Sequence, residues 1–463
     1  MKNAVCLKED SSKYISRISA EYGLYVLDKR AIPTMTDGLK ASQRIALWLA
    51  KNKKDKIKTI SLAGEMISSN LYVHGDTSAA DAISMLAAPY LNNNCLLDGI
   101  GAFGTRTAPS AGIGQPRYTY VKKSKFADQY LYSDLDVAPM VENYDGSAKM
   151  PFTFLPIIPL VLLNGVKGIA IGWSTLILPR SLEDLKRAVS EVLKYGNVKT
   201  KLLPYYEQYD VAVESDTTTP GRYFIKGKVV RKNTTTVVVT ELSPDISLEK
   251  YKEKLIDLEN EKKITSWIDS STGKIDIEIK LPRVTLADMS DEELIEFLKL
   301  KTPVTERIVV IDVNANGVKQ YETAEQLVED WVAWRLSWYL MRYEYLLRRE
   351  EERSIYYLTL LACFEGSREL KPMPQKVMTI KNRSDLVDYI KKLTEASGTP
   401  VVDGIVDKVA NLPVYKWTEE GYTEVSENLK ACDTNITQYE SIIESESKRK
   451  KIFMNEVKSL KKE

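Results

Sequence analysis

The spacing of apolar residues changes twice along this chain, from short helical stretches to alternation and then to long heptads. Leu39, Ile45, Leu47, Trp48 and Leu49 form one face of a stretch from Leu39 to Asn52 whose other face carries Lys40, Gln43 and Arg44, an amphipathic helix. Asp37-Gly38 reads as its capping turn. Ile57 to Asn70 reads as a second helix, and Asp76 to Leu91 as a third, capped by Asp76 or Thr77. A glycine-rich turn (Gly99, Gly101, Gly104) follows, and then extended Tyr118-Thr119-Tyr120-Val121. This order predicts a helix-turn-helix with a β wing, which places a helix in the major groove and basic loops on phosphates. A small helical domain with a solvated loop has the same pattern.

Residues 151–178 carry an apolar run, Pro156 to Leu163, ended by a turn at Asn164-Gly165 and followed by Gly168-Ile169-Ala170-Ile171-Gly172-Trp173. Ile169 sits between small residues, where it suits either an exposed wedge between base steps or a core position. Ser181 to Asp184 is a helix start, with the helix running to about Tyr195. From Tyr209 to Lys280 the pattern is mostly β: Phe224 to Val230, Thr234 to Leu242 and Ile275 to Ile279, with turns at Asn233 and Gly273. A helix, Leu248 to Glu261, separates the last two strands.

From Thr323 the period lengthens. Leu327, Trp331, Trp334, Trp338, Met341 and Tyr345 step by four and three, as do Tyr422, Val425, Leu429, Cys432, Ile436, Tyr439 and Ile443. The second phase pauses at polar Glu446 and Lys450 and resumes at Phe453, Val457 and Leu460. With a small helical cap from Cys363 to Lys416, these predict an antiparallel coiled-coil arm whose tip is a dimer contact, or else a helical hairpin packed on its own domain. The fold class is α+β, divided at 1–150, 151–320 and 321–463.

Composition narrows the function. The 463 residues are 44% hydrophobic and 28% charged, as in a soluble globular protein. No apolar run reaches membrane-spanning length, and Met1 to Cys6 leads into charged sequence without a signal peptide. Cys6, Cys95, Cys363 and Cys432 lie far apart, which argues against zinc and disulfide frameworks and fits a cytoplasmic protein. The net charge of +1 gives no global sign of nucleic-acid binding, so such a role has to rest on local clusters. One such cluster is Lys51, Lys53, Lys54, Lys56 and Lys58; another is Lys122 and Lys123. His74 is the only histidine, which limits any histidine chemistry to that residue.

The chemistry centres on Gly112-Ile113-Gly114-Gln115-Pro116-Arg117-Tyr118, ahead of the lysine pair. A phenol, with a pKa of about 10, is a poor nucleophile near neutrality. Cations held beside it favour the phenolate and stabilise a phosphate that it attacks. An ordinary buried or surface tyrosine fits the same residues.

Taken together, these segments resemble the breakage-reunion (A-type) subunit of type IIA DNA topoisomerases. Arg30-Ala31-Ile32-Pro33 with Asp37-Gly38-Leu39-Lys40 and Gln43-Arg44 is similar to that family's RA-(I/L/V)-P…DGLKP-x-QR. His74-Gly75-Asp76 resembles its HG(D/E) step, and Leu96 to Arg106 its LLDGxGxFG(S/T)R. Pro116-Arg117-Tyr118 resembles its (P/S)RY, and Pro156 to Ala170 its PIIPxVLxNGxxGI(G/A). The motifs cover roughly residues 25 to 180; beyond them the likeness is architectural, a strand-rich tower and a coiled-coil arm. The length, with no DNA-wrapping domain after the arm, is most similar to that of the short T-even bacteriophage members.

The resemblance implies that Tyr118 is the DNA-cleaving nucleophile, and that Arg117, Arg44 and His74 act at the scissile phosphate. It implies that Ile169 is a wedge that bends DNA, and that Lys40, Lys51, Lys53, Lys54, Lys56, Lys58, Lys122 and Lys123 contact DNA. It further implies a homodimer acting on double-stranded DNA in the cytoplasm of a bacterial or phage-infected cell. Three positions depart from the pattern: Ile45 where a second basic residue is common, Val73 for histidine or proline, and Ile171 for threonine. Cleavage in the family uses Mg²⁺ on an acidic Toprim fold. Asp134-Leu135-Asp136 and Asp276-Ile277-Glu278 lack that context, and no GxxxxGK[ST] loop occurs. Mg²⁺ and ATP are therefore expected on partner Toprim and ATPase chains, with no metal site here. The rival is a non-enzymatic, dimeric winged-helix DNA-binding protein.

Overall fold

The structure, a computed structural model, describes residues 10–108, 113–312, 317–376 and 379–461. Cys6 and Gly112 lie outside the described residues. The chain forms two compact units, one of residues 1–335 with 454–463 and one of residues 336–453.

The first unit opens with α1 (Ser11–Val26), a helix absent from the sequence reading. Asp10 caps it by accepting from the Ser12 N–H at 2.8 Å, and none of its residues is buried. It runs into a π-helical turn, Leu27–Ala31, a local widening that often marks functional positions. α2 (Ala41–Ala50) starts at Lys40, whose N–H donates to the Gln43 side chain at 3.0 Å. Asp37 is therefore not its cap; its carboxylate is buried under other partners.

The predicted second helix loses its first two residues to strand β1 (Ile57–Lys58), and α3 is Thr59–Ser68. A strand partner elsewhere in the chain, Tyr120-Val121, overrides local periodicity there. α4 (Asp76–Ala87) is capped at Gly75 rather than at Asp76 or Thr77. It stops four residues short of Leu91, because Pro89 forces Ala88 into extended backbone with ψ 111.

Of the predicted glycine turn, Gly99 lies in strand β2 (Leu97–Ile100), which pairs antiparallel with β3 (Tyr120–Lys123), and Gly101 and Gly104, both at positive φ, follow it. The sheet order is β1-β3-β2. Gly99 is needed because the Phe103 ring lies where its Cβ would be, 2.6 Å away. The extended stretch thus begins two residues later than the sequence pattern predicts, and Tyr118 precedes it in a turn.

α5 (Lys125–Tyr130) and the hairpin β4 (Met140–Glu142)/β5 (Lys149–Pro151) follow. The apolar run folds as α6 (Leu160–Asn164), all but Asn164 buried, and leads into the hairpin β6 (Val166–Ile169)/β7 (Ser174–Ile177). α7 (Leu182–Tyr195) matches the sequence reading, with Ser181 accepting from the Asp184 N–H and left-handed Gly196 (φ 84) ending it.

Strands β8 (Ala212–Ser215) and β9 (Arg222–Lys226) belong to one sheet; β10 (Lys228–Arg231) and β11 (Thr236–Glu241) belong to another. The predicted single strand Phe224 to Val230 is thus two, split at Gly227. A side chain there would sit 2.5 Å from the Glu241 carbonyl oxygen, so the chain crosses between sheets where only glycine fits.

α8 (Leu248–Asn260), β12 (Ser266–Asp269), β13 (Ile277–Lys280), α9 (Arg283–Asp288) and α10 (Asp291–Phe297) complete a four-stranded sheet, order β10-β11-β13-β12, with helices over its apolar face. Val237, Val239, Tyr251, Leu255, Ile277 and Ile279 are its core. β14 (Lys301–Thr305) joins β9 and β8, and β15 (Ile308–Asp312) pairs with β16 (Gly317–Tyr321).

α11 (Ala324–Glu365) starts in this unit, where buried Trp331 donates its indole N–H to the Thr36 carbonyl at 2.9 Å.

In the second unit the rest of α11 packs with α12 (Met373–Lys376), α13 (Arg383–Ala396), α14 (Asp403–Ala410) and α15 (Glu419–Glu444). Leu360, Cys363, Ile390, Leu393, Val406 and Val409 form its core. Along α11 the predicted positions Leu327, Trp331 and Trp334 are buried, but farther on Tyr339 is buried and Tyr343 packs on Tyr439 with ring centroids 5.6 Å apart, while Met341 is exposed, so the packed positions leave the predicted heptad there. The polar pause at Glu446 is a helix break: Ser445 is extended (φ −115, ψ 105), and α16 (Glu446–Ser459) starts anew.

Candidate active site and nucleic-acid interface

Tyr118 ends a turn in which its N–H donates to the Gln115 carbonyl at 2.8 Å. That turn is clamped to the start of α3. The Ile60 N–H donates to the Pro116 carbonyl (3.1 Å) and the Thr59 N–H to the Thr119 carbonyl (3.0 Å). The buried Thr59 and Thr119 hydroxyls bond each other at 2.8 Å. The backbone is therefore fixed while the Tyr118 side chain is 69% exposed, with the Arg117 guanidinium 4.9 Å from its ring centroid. This is a phenol offered to solvent beside a cation, on a rigid base.

The lysines around it divide into two kinds. Lys54, Lys58 and Lys122 are exposed and, among the described residues, form no ion pair. Lys53 pairs with Glu65 (2.9 Å) and Lys123 with Asp128 (2.6 Å). Lys51 lies over Trp48 and Lys56 over Tyr120, 4.7 and 5.1 Å from the ring centroids.

A second cluster surrounds His74. Tyr25 Oη lies 3.1 Å from its Nε2, and Arg30 Nη2 lies 2.7 Å from its Nδ1. Burial, then the Arg30 charge, hold the imidazole below its ordinary pKa, so the ring is neutral near pH 7. Arg30 is the site residue that sequence reasoning missed, although it opens the first quoted motif; only the fold brings it to His74. Arg30, Lys40, Tyr72, His74 and Lys167 line one side of an open cleft of about 640 Å³.

Arg44 belongs to neither cluster. It is buried, and its guanidinium holds Asp37 at 2.7 Å through Nε. It also donates to Thr34 Oγ1 (2.9 Å) and to the Leu39 carbonyl (3.2 Å). In this geometry Nε and Nη2 of the guanidinium order residues 34–39 from inside. Lys40 is likewise engaged within the chain. Its Nζ donates to the Lys167 carbonyl at 2.8 Å, at the base of the β6/β7 hairpin, and burial lowers its pKa.

That hairpin presents Ile169 78% exposed, so the core alternative for Ile169 is ruled out. The hairpin seats on the π-helical turn: a Cβ at Gly168 would lie 2.0 Å from the Ala31 carbonyl oxygen. Asp134 is buried and ion-paired with Arg335, and Glu278 pairs with Lys232 at 2.7 Å.

The frame is a mix of helices and strands that offers an anchored, exposed tyrosine and an exposed isoleucine on a hairpin. Its fold matches the DNA-binding, cleavage and re-ligation domain of Plasmodium falciparum topoisomerase II with a TM-score of 0.79, at 21% identity, over 95% of this chain and 63% of that one. The chain belongs to the DNA gyrase/topoisomerase IV family of A-type subunits, which it matches over residues 30–458.

It is 31% identical over 436 residues to the DNA topoisomerase medium subunit of Enterobacteria phage T4, covering 91% of this chain and 93% of that protein. It is 31% identical over 332 residues to DNA topoisomerase 2-alpha of Rattus norvegicus, covering 69% of this chain but only 22% of that enzyme. The chain is thus part of a type II DNA topoisomerase, and the enzymatic reading prevails over the architectural one.

Proposed function

We propose that this chain is the DNA-gate subunit in which Tyr118 Oη attacks a backbone phosphorus. The phosphorus–O3′ bond breaks as the 5′-phosphotyrosyl bond forms; the phenol loses its proton and the leaving 3′-oxygen gains one. Arg117 stabilises charge that builds on the phosphate, and Arg30 with neutral His74 positions it. The phosphotyrosyl bond retains the energy of the broken phosphodiester, so resealing is simple reversal. The observation that carries this reading is the exposure of Tyr118 on a clamped turn beside Arg117.

In this reading residues 1–150 are a winged-helix gate domain, with β2 and β3 as the wing. Residues 151–320 are a tower whose hairpin tip, Ile169, opens a base step, bending DNA at a cost of a few kcal/mol offset by added contacts. Residues 321–463 are a coiled-coil arm with a dimerisation cap. Two copies cut opposite strands of double-stranded DNA so that a second duplex passes. Lys54, Lys58 and Lys122 bind phosphates directly, and Lys51, Lys53, Lys56 and Lys123 do so on exchanging their present partners. Mg²⁺ and ATP are supplied by Toprim and ATPase partner chains.

The test is cleavage of end-labelled duplex by the chain with Mg²⁺ and a candidate Toprim/ATPase partner, stopped with detergent and digested with protease. Label retained on a Tyr118 peptide is the expected result. Tyr118→Phe should lose the adduct by more than about 1,000-fold while binding DNA within about two-fold. An adduct persisting in that variant would remove Tyr118 from the mechanism.

A further inference from the structure

Arg106 closes one of the sequence motifs but takes no part in the phosphate chemistry described above. It lies on a loop whose neck is closed two ways: Phe103 bridges Ile113, and the Gly114 N–H donates to the Ala102 carbonyl at 2.9 Å. Thr105 and Ala108 exchange backbone hydrogen bonds (3.2 and 3.1 Å), which fold the near side of the loop into a tight turn that projects Arg106. Just past the neck, Gln115 begins the turn that carries Tyr118.

The far end of Arg106 is held in the strand-rich region. Its Nη1 donates to Glu241 Oε2 at 2.5 Å, and its Nη2 pairs with Oε1. The Tyr209 ring lies against the guanidinium, 4.7 Å from its carbon. Glu241 is 4% exposed, at the end of β11. Its carboxylate also accepts from the Asp210 N–H (3.0 Å) and the Leu242 N–H (2.8 Å), so its direction is set before Arg106 arrives. It stands where the chain crosses between the two sheets at Gly227, a point with little room to shift. A bidentate, half-buried pair of this kind fixes both distance and angle, which a single surface contact does not.

We infer that Arg106 and Glu241 tether the Tyr118 loop to the strand-rich region, which makes Arg106 a positioning residue for DNA cleavage. Without the pair, the contacts that remain among the described residues are those at the neck and at the start of α3. With it, the nucleophile moves with the β9–β11 region when a duplex lies across both. The inference rests on Tyr118 as nucleophile for its catalytic consequence; the tether itself is testable separately.

Two measurements on the full chain test it, one with the partner chains and one without. In the complete enzyme, Arg106→Ala should lower covalent adduct by about 100-fold, the scale of a nucleophile displaced by about 1 Å, with DNA affinity within about two-fold. Arg106→Lys, which keeps charge but loses the fork, should recover only part of this. The exchanged pair Arg106→Glu with Glu241→Arg should regain at least about 10-fold over Arg106→Glu alone.

In the chain alone, amide hydrogen exchange at residues 113–118 should quicken in Arg106→Ala while the α7 amides are unchanged. Wild-type adduct yield in Arg106→Ala, or exchange at residues 113–118 equal to wild type, would overturn the tether. So would a loss of adduct that merely tracks the unfolded fraction. Absence of a Tyr118 adduct in the wild-type enzyme would instead overturn the function proposed above, and the exchange result would still decide the tether.

Discussion

Two arginines of equal standing in the sequence, Arg44 on the buried face of α2 and Arg117 on the exposed turn, meet opposite fates. Arg117 sits in solvent over the Tyr118 ring, where its charge can meet an incoming phosphate. Arg44 is turned inward, with its Nε and Nη2 engaged by Asp37, Thr34 and Leu39. A guanidinium is worth most to a reaction where it is preorganised yet not already neutralised. Arg44 is preorganised but already paired with Asp37, and it sets the shape of residues 34–39. Arg30, which shares His74 with Tyr25, is better placed for phosphate than Arg44.

The contrast is broken most directly by truncation. Arg44→Ala leaves the fully buried Asp37 carboxylate without its counter-ion and should destabilise the first unit by about 3–5 kcal/mol. Arg117→Ala should shift stability by no more than about 0.5 kcal/mol and lower cleavage by about 100-fold. Thermal melts beside adduct assays separate the two; equal melting temperatures would end the distinction.

The pair also has a pH signature. Burial pushes the Asp37 carboxyl up, but the Arg44 charge and hydrogen bonds from Arg44, Thr34 and the Phe154 N–H outweigh it, and the pKa lies below its ordinary value. A carboxylate with a depressed folded pKa stabilises the fold above its unfolded pKa of about 3.9. That stability is lost as pH falls through the lower, folded value. The stability advantage of wild type over Asp37→Asn, followed by denaturant unfolding, should therefore be flat near neutrality and shrink below about pH 4.

A smaller effect sharpens the division among the lysines. Each of Lys54→Ala, Lys58→Ala and Lys122→Ala should reduce the slope of log affinity against log salt by about one. Lys53→Ala should reduce it less, since Lys53 already pairs with Glu65. The smallest effect concerns His74, whose status as the only histidine makes its NMR titration unambiguous. Its midpoint should lie below the ordinary value and rise in Arg30→Ala; an unchanged midpoint would separate Arg30 from His74.

Legibility follows the range of the forces involved. α7 is legible to within a residue, because Ser181 and Gly196 cap it locally and Leu185, Ala188, Val189 and Leu193 repeat at helical spacing. The start of α3 is not, because Ile57-Lys58 answers to a strand more than sixty residues away. The strand split at Gly227 is invisible in the sequence because its cause, the Glu241 carbonyl, is a tertiary neighbour. In the site, Tyr118, His74 and Ile169 stand out from motif order. Arg30 sits in a motif without a sign of its role, and Arg44 and Lys40 pass for surface cations because sequence carries residue type and not burial.

The sequence by itself carried the family and the order of its main segments, and it proposed a short list of reactive side chains. These depend on residue identity, local backbone preference and periodicity. Only the tertiary structure decided which charges are free to face DNA. A cation's use depends on what neutralises it, and the partners of Arg44, Lys40 and Arg106 are supplied by backbone and carboxylates that the fold, not the motif, brings within three ångströms or so of them.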